Sequence, residues 1–184
     1  GGRSKPKALS VEDQHRLVGA LTAATGTLED RRDRALYLTM LKTGTRLNAA
    51  LEANVEDLDL AAGELVLRQC KAGQEHLVFL PQDVVDALRL YLEGRSSGPL
   101  FQTAHGRRIT TRQVQRRLKD WLARAGCKPA SPHALRHAFA IGLYRETRDV
   151  LLVRRALGHQ SLASTLRYAE ASDEELREVI RQRG

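Results

Sequence analysis

Residues 55–81 read VEDLDLAAGELVLRQCKAGQEHLVFLP, and they decide the fold class because the hydrophobic period changes there. Three short runs, at 55–60, 63–69 and 75–81, either alternate polar and apolar residues or are continuously apolar, which is typical of strands. Turn residues separate the runs, at Ala62–Gly63 and at Ala72–Gly73. The stretch therefore predicts a small antiparallel sheet of three strands.

On both sides of this sheet the apolar residues recur at helical spacing. Helices are predicted over residues 10–24, 29–43, 46–52, 83–92 and 111–125, from Ser131 past Leu143, and over 149–157, 161–169 and 172–183. Gly44 and Gly158 follow two of these segments as C-terminal stops. The sequence thus predicts a mainly α protein with a small three-stranded antiparallel sheet, an α+β fold.

A chain of 184 residues suits one domain with a short extension. Residues 1–9 are small, basic and proline-containing, which predicts a flexible basic arm or the remnant of a linker. The domain is expected over 10–184, with a C-terminal tail helix at 172–183.

The net charge is +8, which favours a polyanionic partner, nucleic acid before membrane. Cys70 and Cys127 have no metal-ligand spacing around them, so neither a metal site nor a disulfide framework is expected. A reducing, cytoplasmic location follows as the expectation. No apolar stretch is long enough to span a bilayer, so no membrane association is expected.

Residues 131–140, SPHALRHAFA, place His133 and Arg136 together at the start of a predicted helix. Three residues apart on a helix, they share one side, close to the unpaired N–H groups of the first turn. A helix N-terminus with an added imidazole and guanidinium can hold an anion. Taken alone, however, the pair is more often a solvated face.

Four further residues stand where packing does not require them. Arg46 follows the glycine turn of TGTR (43–46), and Lys71 occurs in the turn between two predicted strands. His159 follows the helix-stopping Gly158, and Tyr168 occurs late in the next helix. Each is an ordinary surface or packing residue by itself, so only their combination indicates a site.

In that combination the chain resembles the tyrosine recombinase (phage integrase) family from about residue 10 to 172. The family has an arginine after a T-G turn, a lysine in a β-hairpin, H-x-x-R, then G-H and a tyrosine nine residues later. These are Arg46, Lys71, His133 with Arg136, His159 and Tyr168 here. The stretches HALRHAF and LGHQSLASTLRY also match.

The resemblance implies the fold of the catalytic domain that breaks and rejoins DNA. It implies site-specific recombination or integration on double-stranded DNA through a 3′-phosphotyrosyl intermediate, without metal, ATP or another cofactor. It also implies a homotetramer on DNA, formed by a protein that can be a monomer when free.

The chemistry gives each site residue a role. Arg46 and Arg136 stabilise the charge on the nonbridging oxygens of the phosphate, and His159 adds a hydrogen bond there. Tyr168 is the nucleophile, and His133 takes and returns its proton. Lys71 protonates the departing 5′ oxygen. His137, about 100° around the helix from Arg136, is expected to pack or to support the site.

Two departures from the family pattern keep alternatives open. Ala49 stands where members usually have an acidic residue that helps to fix the arginine loop, and the lysine hairpin lacks two basic positions. A DNA-binding protein with a recombinase-like fold and no productive cleavage is one alternative, favoured by Ala49 and by the lack of the family's core-binding domain in these residues. A type IB topoisomerase is the other, although such enzymes usually have lysine in place of His133.

Overall fold

The computed structural model describes residues 8–68, 74–158, 162–170 and 173–184. Helices dominate these ranges, as the hydrophobic period predicts. They are α1 (Val11–Ala23), α2 (Leu28–Thr43), α3 (Leu47–Glu52), α4 (Gln82–Leu92), α5 (Thr111–Arg124), α6 (Pro132–Thr147), α7 (Val150–Leu157), α8 (Leu162–Glu170) and α9 (Asp173–Gln182).

The sheet has three strands in the order β1 (Leu58–Asp59), β2 (Glu64–Arg68) and β3 (Glu75–Phe79), all antiparallel. Leu65 pairs with Val78, and these two side chains lie on the buried face. The α+β prediction is confirmed.

The first strand is shorter than the predicted 55–60. Val55–Asp57 forms a 3₁₀ turn instead. The Asp57 carboxylate accepts the Asn54 backbone N–H at 2.9 Å, and the Asn54 side chain caps Asp57 in return. This reciprocal capping competes with extended backbone, which an alternating pattern alone does not reveal.

Serine and threonine caps begin several helices. Ser10 Oγ accepts the Asp13 backbone N–H at 3.1 Å at the start of α1. Thr110 caps α5 with Gln113 in a reciprocal box. Ser131 is the N-cap residue of α6 but makes no side-chain capping bond, and Pro132 occupies the first helical position. Ser172, where the tail helix is predicted to begin, lies outside the described residues.

The packed part of the chain begins before residue 10, because Leu9 is buried in the core. Residues 1–7 of the predicted basic arm lie outside the described residues.

Buried apolar side chains form two clusters. The main core joins α1 to α5, the sheet and the first turns of α6. The C-terminal cluster consists of Ala140, Val153, Leu157 and Tyr168, with partly buried side chains of α6 packed against it. Helix α9 exposes its apolar residues Leu176, Val179 and Ile180.

A buried carboxylate joins α2 to α5 within the main core. Asp33 Oδ2 accepts Trp121 Nε1–H at 2.8 Å and the Arg117 Nε–H, while Asp33 Oδ1 accepts Arg32 Nη2–H at 2.9 Å. A fully buried carboxylate requires such donors. This network fixes α5 against α2, and α2 leads directly into the arginine turn at 43–46.

Candidate active site

Arg46 occupies the N-cap position of α3, directly after the end of α2. Helix α2 ends because Gly44 adopts the left-handed conformation, with φ 73°, and its N–H donates to Met40 O at 3.0 Å. The Arg46 side chain is exposed, and its carbonyl accepts the Ala50 N–H at 2.9 Å. The turn therefore presents a guanidinium to solvent from a hydrogen-bonded backbone.

Gly44 is required at this turn for two reasons. Its positive φ is costly for residues that have a Cβ atom. A Cβ atom here would also clash with the ring of Phe139 on α6 and contact Leu157 of α7. The Arg46 turn is thus in close contact with the helices of the C-terminal cluster.

Arg136 joins three elements from a buried position. It is 3% exposed. Its Nη1 donates to Gly44 O at 2.6 Å, and its Nη2 donates to Leu157 O at 3.4 Å. Burial and then the charge of Arg46 lower the pKa of Arg136 to about 10, while the charge and hydrogen bond of Tyr168 oppose that change. The guanidinium remains protonated at neutral pH and is held by backbone carbonyls.

His133 lies one turn before Arg136 on α6 and is exposed. Desolvation and the positive charges of Arg136, Arg46 and Arg167 lower its pKa below the ordinary 6.5. The imidazole is therefore neutral at pH 7 and able to accept a proton. His133 and the two arginines are brought together as the sequence predicts.

Tyr168 lies on α8 and is only 6% exposed. The His137 ring packs on the Tyr168 ring with 4.8 Å between centroids and 58° between planes. Desolvation, His133 and Arg167 lower the pKa of His137, so this contact is with a neutral imidazole. The phenol is thus placed beside Arg136 and against a second histidine.

Lys71 and His159 lie outside the described residues. Around them, Arg68 of β2 pairs with Glu75 of β3, and Gly158 ends α7 with φ 77°. His76 Nε2 lies 3.2 Å from Ala156 O, which joins β3 to the last turn of α7. The two positions remain predictions.

The sequence predicts only packing or support for His137, and the structure adds its direct contact with the Tyr168 ring. The spacing in the sequence indicates that His137 lies near the site, because it is four residues after His133 and therefore shares a helix face with it. Arg167, the residue before Tyr168, is not among the predicted site residues, yet its charge acts on both histidines.

Within the described residues, no three His, Cys, Asp or Glu side chains are grouped so as to hold a metal ion. In those same ranges no helix is both long and apolar enough to cross a membrane.

The chain is similar in sequence to proteins named as tyrosine recombinases. Tyrosine recombinase XerC of Chromobacterium violaceum is 34% identical over 179 residues, which cover 95% of this chain and 59% of that protein. Tyrosine recombinase XerA of Thermococcus kodakarensis is 33% identical over 182 residues, covering 96% of this chain and 62% of that protein. This chain therefore spans about three fifths of the length of these curated relatives.

The fold agrees as well. The crystal structure of a XerA recombinase superimposes with a TM-score of 0.82 at 28% identity, covering 100% of this chain and 65% of that one. Residues 8–175 match the phage integrase family. With that match, these relatives and the shared fold, the chain belongs to the phage integrase family of tyrosine recombinases.

Proposed function

We propose that this chain is the catalytic domain of a site-specific DNA recombinase that cleaves and rejoins strands through a 3′-phosphotyrosyl intermediate. One observation carries the proposal: Tyr168 is buried beside Arg136, and the charge of Arg46 acts on both Arg136 and His133. Two fixed cations, one neutral imidazole and one phenol are the groups that phosphoryl transfer without a metal requires.

In the first step the Tyr168 oxygen attacks phosphorus as its proton passes to His133. The phosphorus–O5′ bond breaks, Lys71 gives its proton to the departing 5′ oxygen, and a 3′-phosphotyrosyl bond remains. Arg46, Arg136 and His159 stabilise the charge on the nonbridging oxygens. Because the new bond conserves the phosphodiester energy, a 5′-hydroxyl of another strand can reverse the step without ATP.

Arg136 supports this mechanism through its burial. The carbonyls of Gly44 and Leu157 hold its guanidinium before DNA arrives. Charge that is already oriented in a desolvated site requires little reorganisation when the transition state forms, which is the largest usual source of catalytic stabilisation.

The test traps the covalent intermediate. A pool of nicked suicide duplexes with randomised arms is incubated with the chain in EDTA, and adducts that survive SDS are isolated and sequenced. We expect the wild-type chain to form adducts on a selected sequence and Tyr168→Phe to form none. Phenylalanine keeps the ring contact with His137 but loses the hydrogen bond to Arg136, so the free energy of unfolding should fall by about 2 kcal/mol, with the fold retained.

Tyr144→Phe is the matched control, because Tyr144 is a half-buried tyrosine packed against the same C-terminal cluster. It should form adducts at the wild-type rate. An adduct in Tyr168→Phe would place the nucleophile elsewhere. DNA retention without any wild-type adduct would favour the binding-only alternative, and a magnesium requirement would contradict the metal-free mechanism.

The role of Lys71 has its own test on the selected sequence. A bridging 5′ sulfur makes a leaving group that needs no proton. We expect Lys71→Ala to be severely impaired on normal DNA and far less impaired on the sulfur-containing substrate. Equal impairment on both would remove Lys71 from the role of general acid.

We also propose that the protein assembles as a homotetramer on double-stranded DNA through its tail. Helix α9 exposes Leu176, Val179 and Ile180 as an apolar face beside charged residues, a pattern suited to a second copy of the chain. Deleting 173–184 should leave the fold intact and weaken protomer association on the selected DNA. Unfolding of the truncated chain would instead indicate that α9 packs on its own domain.

A further inference from the structure

Arg46 directly follows a pair of buried threonines. Thr43 is 5% exposed and Thr45 is 3% exposed, and their hydroxyl oxygens lie 2.7 Å apart. The Thr43 hydroxyl also lies 2.5 Å from Thr39 O, and the Thr45 backbone N–H donates to Thr43 Oγ1 at 3.3 Å.

The direction of these hydrogen bonds follows from counting protons. A hydroxyl has one proton to donate. A carbonyl can only accept, so the Thr43 proton goes to Thr39 O. The Thr45 hydroxyl must then donate to Thr43 Oγ1. The last turn of α2 is thereby connected, through two hydroxyl groups, to the residue that precedes Arg46.

The opposite side of the same turn is held by α6 and α7. Gly44 O accepts from Arg136, and the Gly44 α-carbon lies against Phe139 and Leu157. The hydroxyl pair therefore fixes the turn from the α2 side while Arg136 fixes it from the other. Together these contacts set the position of the Arg46 backbone relative to Arg136.

The residue three positions after Arg46, in α3, has no polar side-chain group that could hold the turn. Ala49 is partly buried against the main core and has only a methyl group. We propose that the Thr43–Thr45 hydroxyl pair positions Arg46 for the transferring phosphate, a support that Ala49 cannot give. The phosphate in this statement rests on the proposed function, whereas the positioning of the Arg46 backbone does not.

Thr45→Val removes the donating hydroxyl and keeps the shape of the side chain, while Thr45→Ser keeps the hydroxyl. On the selected suicide duplex at saturating DNA, we expect Thr45→Val to form the adduct about tenfold more slowly, which corresponds to one lost buried hydrogen bond. Thr45→Ser should stay within about twofold of wild type. Equal rates for Val and Ser would overturn the proposal.

Thr147→Val is the matched control. The Thr147 hydroxyl donates to Leu143 O at 2.8 Å, as the Thr43 hydroxyl of the pair donates to Thr39 O, but at the far end of α6. It should form the adduct at the wild-type rate. A loss equal to that of Thr45→Val would mean that any missing threonine hydroxyl slows the reaction through general destabilisation.

A double-mutant cycle asks whether Thr45 acts through Arg46. The double variant with Thr45→Val and Arg46→Ala should be no slower than Arg46→Ala alone, because the guanidinium that the hydroxyl positions is already gone. Two independent losses that multiply would show that Thr45 does not work through Arg46.

Amide hydrogen exchange of the full chain, without DNA, provides a readout independent of catalysis. Thr45→Val should speed exchange at residues 45–47, whereas Thr45→Ser and Thr147→Val should not. If Thr45→Val does not fold, Thr45→Ala removes the same hydroxyl. Unchanged exchange at 45–47 would overturn the proposal. A wild-type chain that forms no adduct would overturn the proposed function alone, and the exchange would still decide whether the hydroxyl pair fixes the turn.

Discussion

The main core and the C-terminal cluster differ in size and in what they hold. The main core joins α1 to α5, the sheet and the first turns of α6, includes the buried Asp33 network and ends at the turn that presents Arg46. The C-terminal cluster has few buried members, and Tyr168 is one of them. The large core fixes the turn that presents Arg46, whereas the small cluster holds the Tyr168 phenol. We therefore expect local opening of the C-terminal cluster, which would expose Tyr168, to cost less free energy than opening of the main core.

Gly44 and Arg136 lie where the two regions meet. Gly44 ends a helix of the main core yet contacts Phe139 and Leu157, which pack in or against the C-terminal cluster. Arg136 donates to carbonyls on both sides of this boundary. The site is therefore assembled at the junction of the two regions, and changes on either side should have different consequences.

The largest effect is expected within the main core. Asp33→Ala would leave the buried Arg32 and the partly buried Arg117 without their shared carboxylate and the Trp121 N–H without an acceptor. We expect the free energy of unfolding to fall by about 4 kcal/mol, measured by urea denaturation. Asp30→Ala, at the rim of the same pair of helices, should cost less than about 1 kcal/mol. Equal losses would contradict the importance of the buried network.

The next largest loss in the free energy of unfolding is expected at Gly44, where the two regions meet. Gly44→Ala adds a strained backbone and a steric clash with Phe139, and should cost about 3 kcal/mol in the free energy of unfolding. Gly126→Ala is the control, because Gly126 has φ 72° with no atom within 4 Å of the added Cβ. It should cost about 1 kcal/mol. A similar cost at both glycines would show that the two regions are not in close contact at Gly44.

Much of the fold was predictable because it follows local rules. Three kinds of feature depend only on residues close together in the chain. They are the glycine stops at Gly44 and Gly158, the caps at Ser10 and Thr110, and the change of hydrophobic period at the sheet. The 3₁₀ turn at Val55–Asp57 escaped prediction because it depends on a side chain that bonds back to the backbone.

The sequence predicts the members of the candidate site but not its geometry. The spacing of His133 and Arg136 on one helix face indicates that they act together. No local pattern shows that Arg136 would donate to Gly44 O, which is 92 positions away in the chain, or that His137 would contact the Tyr168 ring. Such contacts arise from tertiary packing, whereas the Thr43–Thr45 hydroxyl contact is local in the chain.

Two matched valine substitutions, each with a smaller expected loss in the free energy of unfolding, compare the two regions most directly. Val153→Ala in the C-terminal cluster and Val84→Ala in the main core each remove the same two methyl groups from a fully buried valine. Each should cost about 2 kcal/mol locally. In amide hydrogen exchange, Val153→Ala should speed exchange in α8 and leave α2 unchanged, whereas Val84→Ala should speed exchange in α2. Faster exchange throughout the chain with Val153→Ala would show that the clusters unfold as one unit.

The smallest effect concerns pH and the two histidines at the junction. Desolvation lowers the pKa of each imidazole below 6.5. The charges of Arg136, Arg46 and Arg167 lower the pKa of His133 further. The charges of His133 and Arg167 do the same for His137. Protonation is therefore easier in the unfolded chain, and stability falls as the pH drops from about 6.5 through the lowered pKa values of the folded state. Urea midpoints at pH 7.5 and pH 5.5 measure this loss.

A double variant with His133→Gln and His137→Gln should lose less stability between the two pH values than wild type, because the remaining decline comes from other groups. His105→Gln, at an exposed loop position, should decline as wild type does. A double variant with the full wild-type decline would show that these imidazoles bind protons as readily in the folded chain as in the unfolded one, and that the cations at the junction do not keep His133 neutral.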